Sequence, residues 1–156
     1  MAIREILTFD NPLLHKKCEK VKNIDDDILR IVKDLKDSFY SSDGIGLAAP
    51  QIGELYRIIM IDMRDGREPI LMFNPKIIST SGKVTGYEGC LSYPGYTGEV
   101  VRPKSVTVFG MDINGDKITH KATGILARCF CHEIDHLDGV VYTDRTKLLY
   151  KDDELE

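Results

Sequence analysis

Residues 123–139 read Thr-Gly-Ile-Leu-Ala-Arg-Cys-Phe-Cys-His-Glu-Ile-Asp-His-Leu-Asp-Gly. The spacing of their apolar residues predicts a helix from Thr123 to Asp138, stopped by Gly139. At about 100° per residue, Ile125, Cys129, His132 and His136 fall within about 60° of one another. Leu126, Phe130, Ile134 and Leu137 form a separate apolar stripe, and Glu133 lies between the two. One face is expected to pack and the other to present the histidines. A lone histidine on such a helix reads more readily as a satisfied or solvated residue. Here His132, Glu133 and His136 form an HExxH pattern: the two imidazoles, one turn apart, can chelate one metal, and the carboxylate stands close enough to handle a proton.

Such a site needs a third protein ligand, and the downstream options fail. One group of HExxH proteases places a third His six residues after the second, a position held here by Tyr142. Another uses a Glu on a later helix, where only Glu154 and Glu156 remain, in an acidic tail. Cys131 points away from the histidines on the wheel. Cys129 is on the correct face but lies about 10.5 Å along the axis from His136, so chelation from there would be strained. His15 and His120 have no patterned neighbours and read as surface or satisfied residues. Cys90 stands in Glu88-Gly89-Cys90-Leu91-Ser92-Tyr93-Pro94-Gly95, where Gly and Pro predict open, irregular backbone of the kind that meets ligands. It is the strongest remaining candidate, against the alternative of a buried structural thiol. Three protein ligands with one open position is the arrangement of a catalytic metal site.

Gly44-Ile45-Gly46-Leu47-Ala48-Ala49-Pro50-Gln51-Ile52-Gly53 lacks the Lys and Ser/Thr of a phosphate loop. By itself it reads as a tight helix-to-strand connection with an ordinary Gln51. Beside a metal, a neutral amide donor is what a developing oxyanion requires.

Outward from these segments, Ile28, Ile31, Val32, Leu35 and Phe39 recur at helical spacing and predict a first helix from Ile24 to Ser42, with Asn23 as N-cap, Asp25, Asp26 and Asp27 at its positive end, and Gly44 as the stop. Arg57–Met63, Ile70–Phe73, Lys76–Thr80 and Ser105–Met111 read as short strands. Asn114-Gly115 predicts a type I′ hairpin turn. The expected fold is α+β: short, mostly antiparallel sheets packed around the C-terminal HExxH helix, with an N-terminal helix, as a single domain over residues 1–156. Composition agrees, with 42% apolar and 29% charged residues. The net charge of −4 argues against direct nucleic-acid binding. No apolar run reaches the length of a membrane helix. The segment Met1–Pro12, with Arg4, Glu5 and Asp10, has no signal-peptide core, so the four cysteines are expected as reduced thiols in the cytoplasm.

Gly44–Gln51, Glu88–Ser92 and His132–His136 together resemble the GxGLAAxQ, EGCLS and HExDH segments of the peptide deformylases, in the same order and at similar separations. Leu137-Asp138-Gly139 and Asp144-Arg145 continue the resemblance, which covers nearly the whole chain. It implies that Cys90, His132 and His136 bind one divalent metal, ferrous iron foremost, with zinc, nickel or cobalt able to take its place. It further implies Glu133 as general acid and base, and Gln51 with the backbone N–H of Leu91 as oxyanion hole. Gly46 and Gly89 would pair with the backbone of an extended substrate, while Ile45, Ile125 and Cys129 would line the pocket for a methionine side chain. The implied activity is hydrolysis of the formyl group from N-formylmethionine on newly made polypeptides. The implied partners are the nascent peptide and the ribosome near its exit. Cys131 replaces a frequent Gln and is expected to matter little. Tyr87 replaces a frequent acidic residue and is expected to reshape the pocket rim. The acidic stretch Lys151–Glu156 stands where some members carry a longer basic helix, and it argues against docking by that route. The alternative readings are a small HExxH metalloendopeptidase, which would need a third ligand other than Cys90, and a structural metal site, closed by four protein ligands.

Overall fold

The computed structural model describes residues 2–154. Helix α1 spans Asp26–Tyr40. Its N-cap is Asp25, whose carboxylate accepts from Ile28 N at 3.0 Å. The expected cap at Asn23 is therefore displaced by two residues: any of the acidic residues there suits a helix start, and Asp25 is the one whose carboxylate reaches an orphan N–H. The helix ends at Tyr40, ahead of the expected stop at Gly44.

Five strands form one antiparallel sheet in the order β1–β2–β3–β6–β7. They are β1 (Gly46–Ala48), β2 (Ile58–Ile61), β3 (Ile70–Ser81), β6 (Ser105–Met111) and β7 (Lys117–Thr123). Strands β4 (Val84–Cys90), β5 (Tyr93–Arg102) and β8 (Leu149–Lys151) form a second antiparallel sheet in that order. The runs 70–73 and 76–80 are one strand, because the chain crosses Asn74-Pro75 with a register irregularity rather than a turn. The β6–β7 turn is not type I′: Gly115 has φ +81° but Asn114 does not share it, and Gly115 N donates to Asp112 O at 3.0 Å. Asp112 Oδ1 also accepts from Asn114 N and Asp116 N, which favours this longer turn.

Helix α2 spans Gly124–Leu137, with Thr123 and Asp138 as its flanking residues. Gly139 has φ +75°, and a Cβ there would lie 2.7 Å from the carbonyl of His15. Glycine is thus required both by the turn and by the close approach. Cys18 N and Arg57 donate to Leu137 O, satisfying the end of the helix.

The large sheet lies between the two helices. Ile58 and Met60 pack in the cluster with Ile31, Leu35 and Phe39 of α1. Ile59 and Ile61 pack with Phe130, Ile134 and Leu137 of α2. A strand covered on both faces becomes a continuous apolar run, as Ile58–Ile61 is. Helix α2 is buried from Cys129 to Leu137. The face that carries the histidines is met by the second sheet, through the contacts of Glu88 with His132 and of Cys90 with His136. No helix among the described residues is long and apolar enough to cross a membrane. Met1, Leu155 and Glu156, with the end of the acidic tail, lie outside the described residues.

Candidate metal centre

Cys90 is not in an irregular loop. It ends β4, pairs with Tyr93 of β5, and stands at the tip of a hairpin turned by Leu91 and Ser92. A bulge between Glu88 and Cys90 takes up Gly89 and re-aims the strand end. That places Cys90 Sγ 3.4 Å from His136 Nε2. Ligand atoms of Cys90, His132 and His136 all lie within 4.8 Å of one another. Among the described residues this is the group of His, Cys, Asp and Glu side chains that could hold a metal. One soft thiolate and two imidazoles suit zinc or iron, so the residues present fit the metal of an HExxH site.

His132 Nδ1 is bonded to Glu88 Oε1 at 2.8 Å, which leaves Nε2 to face the cluster. Glu88 in turn accepts from Arg102 at 2.7 and 2.8 Å and from Arg128 at 2.7 Å. Arg102 also reaches Asp135 at 2.6 Å, and Asp135 is clasped by Arg145. Burial alone would raise the Glu88 carboxyl, but the bonds from Arg102 and His132 outweigh it and hold the group well below the usual carboxylate range. Burial would likewise lower Arg102, and Glu88 with Asp135 reverses that. Burial, foremost, pushes the His136 imidazole well below its usual range.

Glu133 is 4% exposed, and burial raises its carboxyl to about 7. Its Oε1 is buried without a hydrogen-bond partner, as is His136 Nδ1. Gly46 on β1 faces this carboxylate so closely that a Cβ would lie 2.6 Å from Glu133 Oε2. Gln51 sits in a 3-10 turn, Ala49–Ile52. Its Oε1 accepts from Ala48 N at 2.9 Å, and its Nε2 donates to Ser92 Oγ at 3.0 Å and faces Cys90 Sγ at 3.6 Å.

These groups surround a cleft of about 490 Å³. Ile45, Gly46, Gln51, Gly89, Cys90, Leu91, Ile125, Cys129, His132 and Glu133 all line it. His136 lies beneath them, 1% exposed. Ile125 is 66% exposed and stands at the rim, whereas Cys129 is buried and its thiol is pushed up by that burial. Tyr87 also lines the cleft and is 60% exposed, on the rim where its departure from the acidic pattern was expected to act. Both β1 and β4 are edge strands of their sheets, and both border the cleft. Tyr142 packs its ring 6.0 Å from that of His132 instead of offering a ligand. His15 is exposed and bonds Phe9 O, and His120 is half-buried against Phe130.

Sequence reasoning missed the charged cluster of Glu88, Arg102, Arg128, Asp135 and Arg145, and the role of Ser92 as acceptor for Gln51. The usable signal was Asp135, a carboxylate inside an otherwise buried helix, which needs a cation.

An HExxH helix joined by a cysteine from a neighbouring hairpin, at the base of a cleft between two sheet edges, defines a metal-dependent hydrolase. The family model for polypeptide deformylase matches residues 3–152. The peptide deformylase of Finegoldia magna is 47% identical over the full chain and 96% of its own length. The crystal structure of a Legionella pneumophila peptide deformylase superposes with a TM-score of 0.90 at 39% identity, covering 94% of this chain and 87% of that one. The Thermotoga maritima peptide deformylase structure gives 0.88 at 32% identity, covering 94% and 99%. The chain belongs to the polypeptide deformylase family and is a hydrolase of α+β fold. The endopeptidase and structural-site readings are thereby set aside.

Proposed function

We propose that this chain removes the formyl group from N-formylmethionine at the start of newly made polypeptides, releasing formate. The observation that carries the reading is the convergence of Cys90, His132 and His136 beside the unpartnered Glu133, within one cleft. Cys90, His132 and His136 hold one divalent ion, with ferrous iron the expected occupant and zinc, nickel or cobalt able to replace it. When bound, the ion supplies Lewis acidity, which makes water a competent nucleophile at neutral pH.

The chain's own residues do the rest. Glu133, with a carboxyl raised to about 7 by burial, takes the proton of the attacking water and delivers it to the departing amine. Gln51 Nε2 and the backbone N–H of Leu91 donate to the oxyanion on the formyl carbon. Gly46 and Gly89, on facing sheet edges, pair with the extended peptide as an added strand would. Ile45, Cys129 and, at the mouth, Ile125 receive the methionine side chain. The reaction takes place in the cytoplasm on the nascent chain, near the ribosome exit.

The test is formate release from formyl-Met-Ala-Ser by anaerobically purified protein. Turnover with Fe²⁺ or Ni²⁺, lost on chelation and restored on adding the metal back, is the expected result. A metal-replete protein that releases no formate would end the reading.

A further inference from the structure

The cleft wall formed by residues 43–46 runs from an irregular segment after α1 into Gly46, the first residue of β1, and it is fastened from behind. Arg64 Nε donates to Gly44 O at 2.9 Å, and its Nη2 donates to Ser42 O at 3.0 Å and reaches Phe39 O at 3.5 Å. The guanidinium lies 4.9 Å from the ring centre of Phe39 and 5.7 Å from that of Tyr40. Its backbone is bent to allow this. Arg64 has φ +57°, and its N–H donates to Asp62 Oδ1 at 2.8 Å, while Asp62 Oδ2 accepts from Tyr40 OH at 2.9 Å. Asp62 N donates to Ile45 O at 2.9 Å, and Gly46 pairs with Ile61.

Phe39 O already accepts from Ser42 N and Ser42 Oγ, so the carbonyls that Arg64 chiefly serves, Ser42 O and Gly44 O, lie past the end of α1, where a cation is also favoured by the helix dipole. A planar guanidinium with several N–H donors can serve several carbonyls at once, which an ammonium cannot do in the same geometry. The segment it holds is the one that brings Gly46 against Glu133 and Cys129; a Cβ at Gly46 would lie 2.6 Å from Glu133 Oε2 and 2.9 Å from Cys129 Sγ. A small displacement there changes the width of the slot into which the peptide backbone must fit.

We infer that Arg64 is a positioning residue for substrate: an exposed latch that fixes the Ser42–Gly46 wall and acts through Gly44, Ile45 and Gly46 without touching the reacting groups. The inference rests on the deformylase reading above. It predicts a defect in substrate binding rather than in chemistry or metal retention, because Cys90, His132 and His136 are set by β4, α2 and Glu88, and Glu133 is carried on the buried middle of α2.

The experiment compares wild type with Arg64→Ala and Arg64→Lys on formyl-Met-Ala-Ser. Arg64→Ala is expected to raise KM about five-fold, the worth of one net hydrogen bond, with kcat and bound metal unchanged. Millimolar guanidinium chloride should restore KM in Arg64→Ala, matched sodium chloride should not, and Arg64→Lys should recover part of the loss. Amide hydrogen exchange over residues 42–46 should quicken in Arg64→Ala while α2 keeps its protection. An unchanged KM in Arg64→Ala, or a loss shared equally by all regions and unaffected by guanidinium, would overturn the inference. A wild type without deformylase activity would instead overturn the functional reading on which it rests.

Discussion

Beside His132 the buried charges of Glu88, Arg102 and Asp135 are paired, while Glu133, the next residue along the helix, and His136, one turn on, each keep a buried polar atom without a partner. Glu88 receives His132, Arg102 and Arg128 together, and Asp135 receives Arg102 and Arg145. Glu133 Oε1 and His136 Nδ1, by contrast, account for two of the three buried side-chain atoms without a hydrogen bond among the described residues. A buried unpaired polar atom costs about 1–3 kcal/mol, so natural folds keep one where it has work to do. The contrast teaches how the site divides its labour. The hairpin side is a rigid support for ligand geometry, and the Glu133 side is left unsatisfied for a proton and a substrate to enter.

The largest expected effect comes from breaking the support. Arg102→Met strands two buried carboxylates and should cost about 3 kcal/mol of stability in urea unfolding. The figure sits at the low end for a buried pair because Arg128 and Arg145 remain on the stranded groups. A cost near zero would mean that the charged cluster is solvated and supports nothing.

Glu88→Gln should leave the fold intact but weaken metal affinity about 10–100-fold, since a carboxylate partner orients His132 and strengthens it as a ligand. The same variant sharpens the comparison through pH. A carboxyl held below its unfolded value of about 4.3 contributes stability above that pH and loses it as the pH falls. The wild type should therefore lose stability on acidification from about pH 5 to pH 3, and Glu88→Gln should show a flatter decline. Equal slopes would contradict the pairing of Glu88.

The smallest effect is expected at Ser92→Ala. Ser92 is buried and accepts from Gln51 Nε2, while Ala48 N anchors the other end of the amide. Losing one of two anchors should lower kcat/KM about five-fold without changing metal content, as for one neutral hydrogen bond.

Much of this arrangement was legible in the sequence where local period and local chemistry agree. Helix α2 was placed within a residue at each end, because Ile125 to Leu137 carry a clear helical period and Gly139 must follow. The α+β class followed from a helix, several short β-rich runs and a second helix. The β4–β5 hairpin was not legible: Gly86, Gly89, Gly95 and Gly98 dilute its β-forming residues, so it read as open loop. Asn23 and Asn114-Gly115 were misjudged because several residues there satisfy the same local rule, and neighbouring aspartates, Asp25 and Asp112, take the backbone N–H groups instead. The charged support was invisible for a different reason. Its hydrogen bonds join Glu88 to Arg102, Arg128 and His132 across 14, 40 and 44 residues, and no spacing rule spans such distances. The chelating pair of His132 and His136 was legible because a helix makes their proximity a local fact.

The division of labour is tested most directly by Glu133→Gln, assayed for bound metal and for formate release in the same sample. The account predicts metal retained at the wild-type level and formate release reduced by about 10²–10⁴-fold, the range for a lost general acid–base group. Formate release at the wild-type rate, or loss of the metal together with activity, would contradict it.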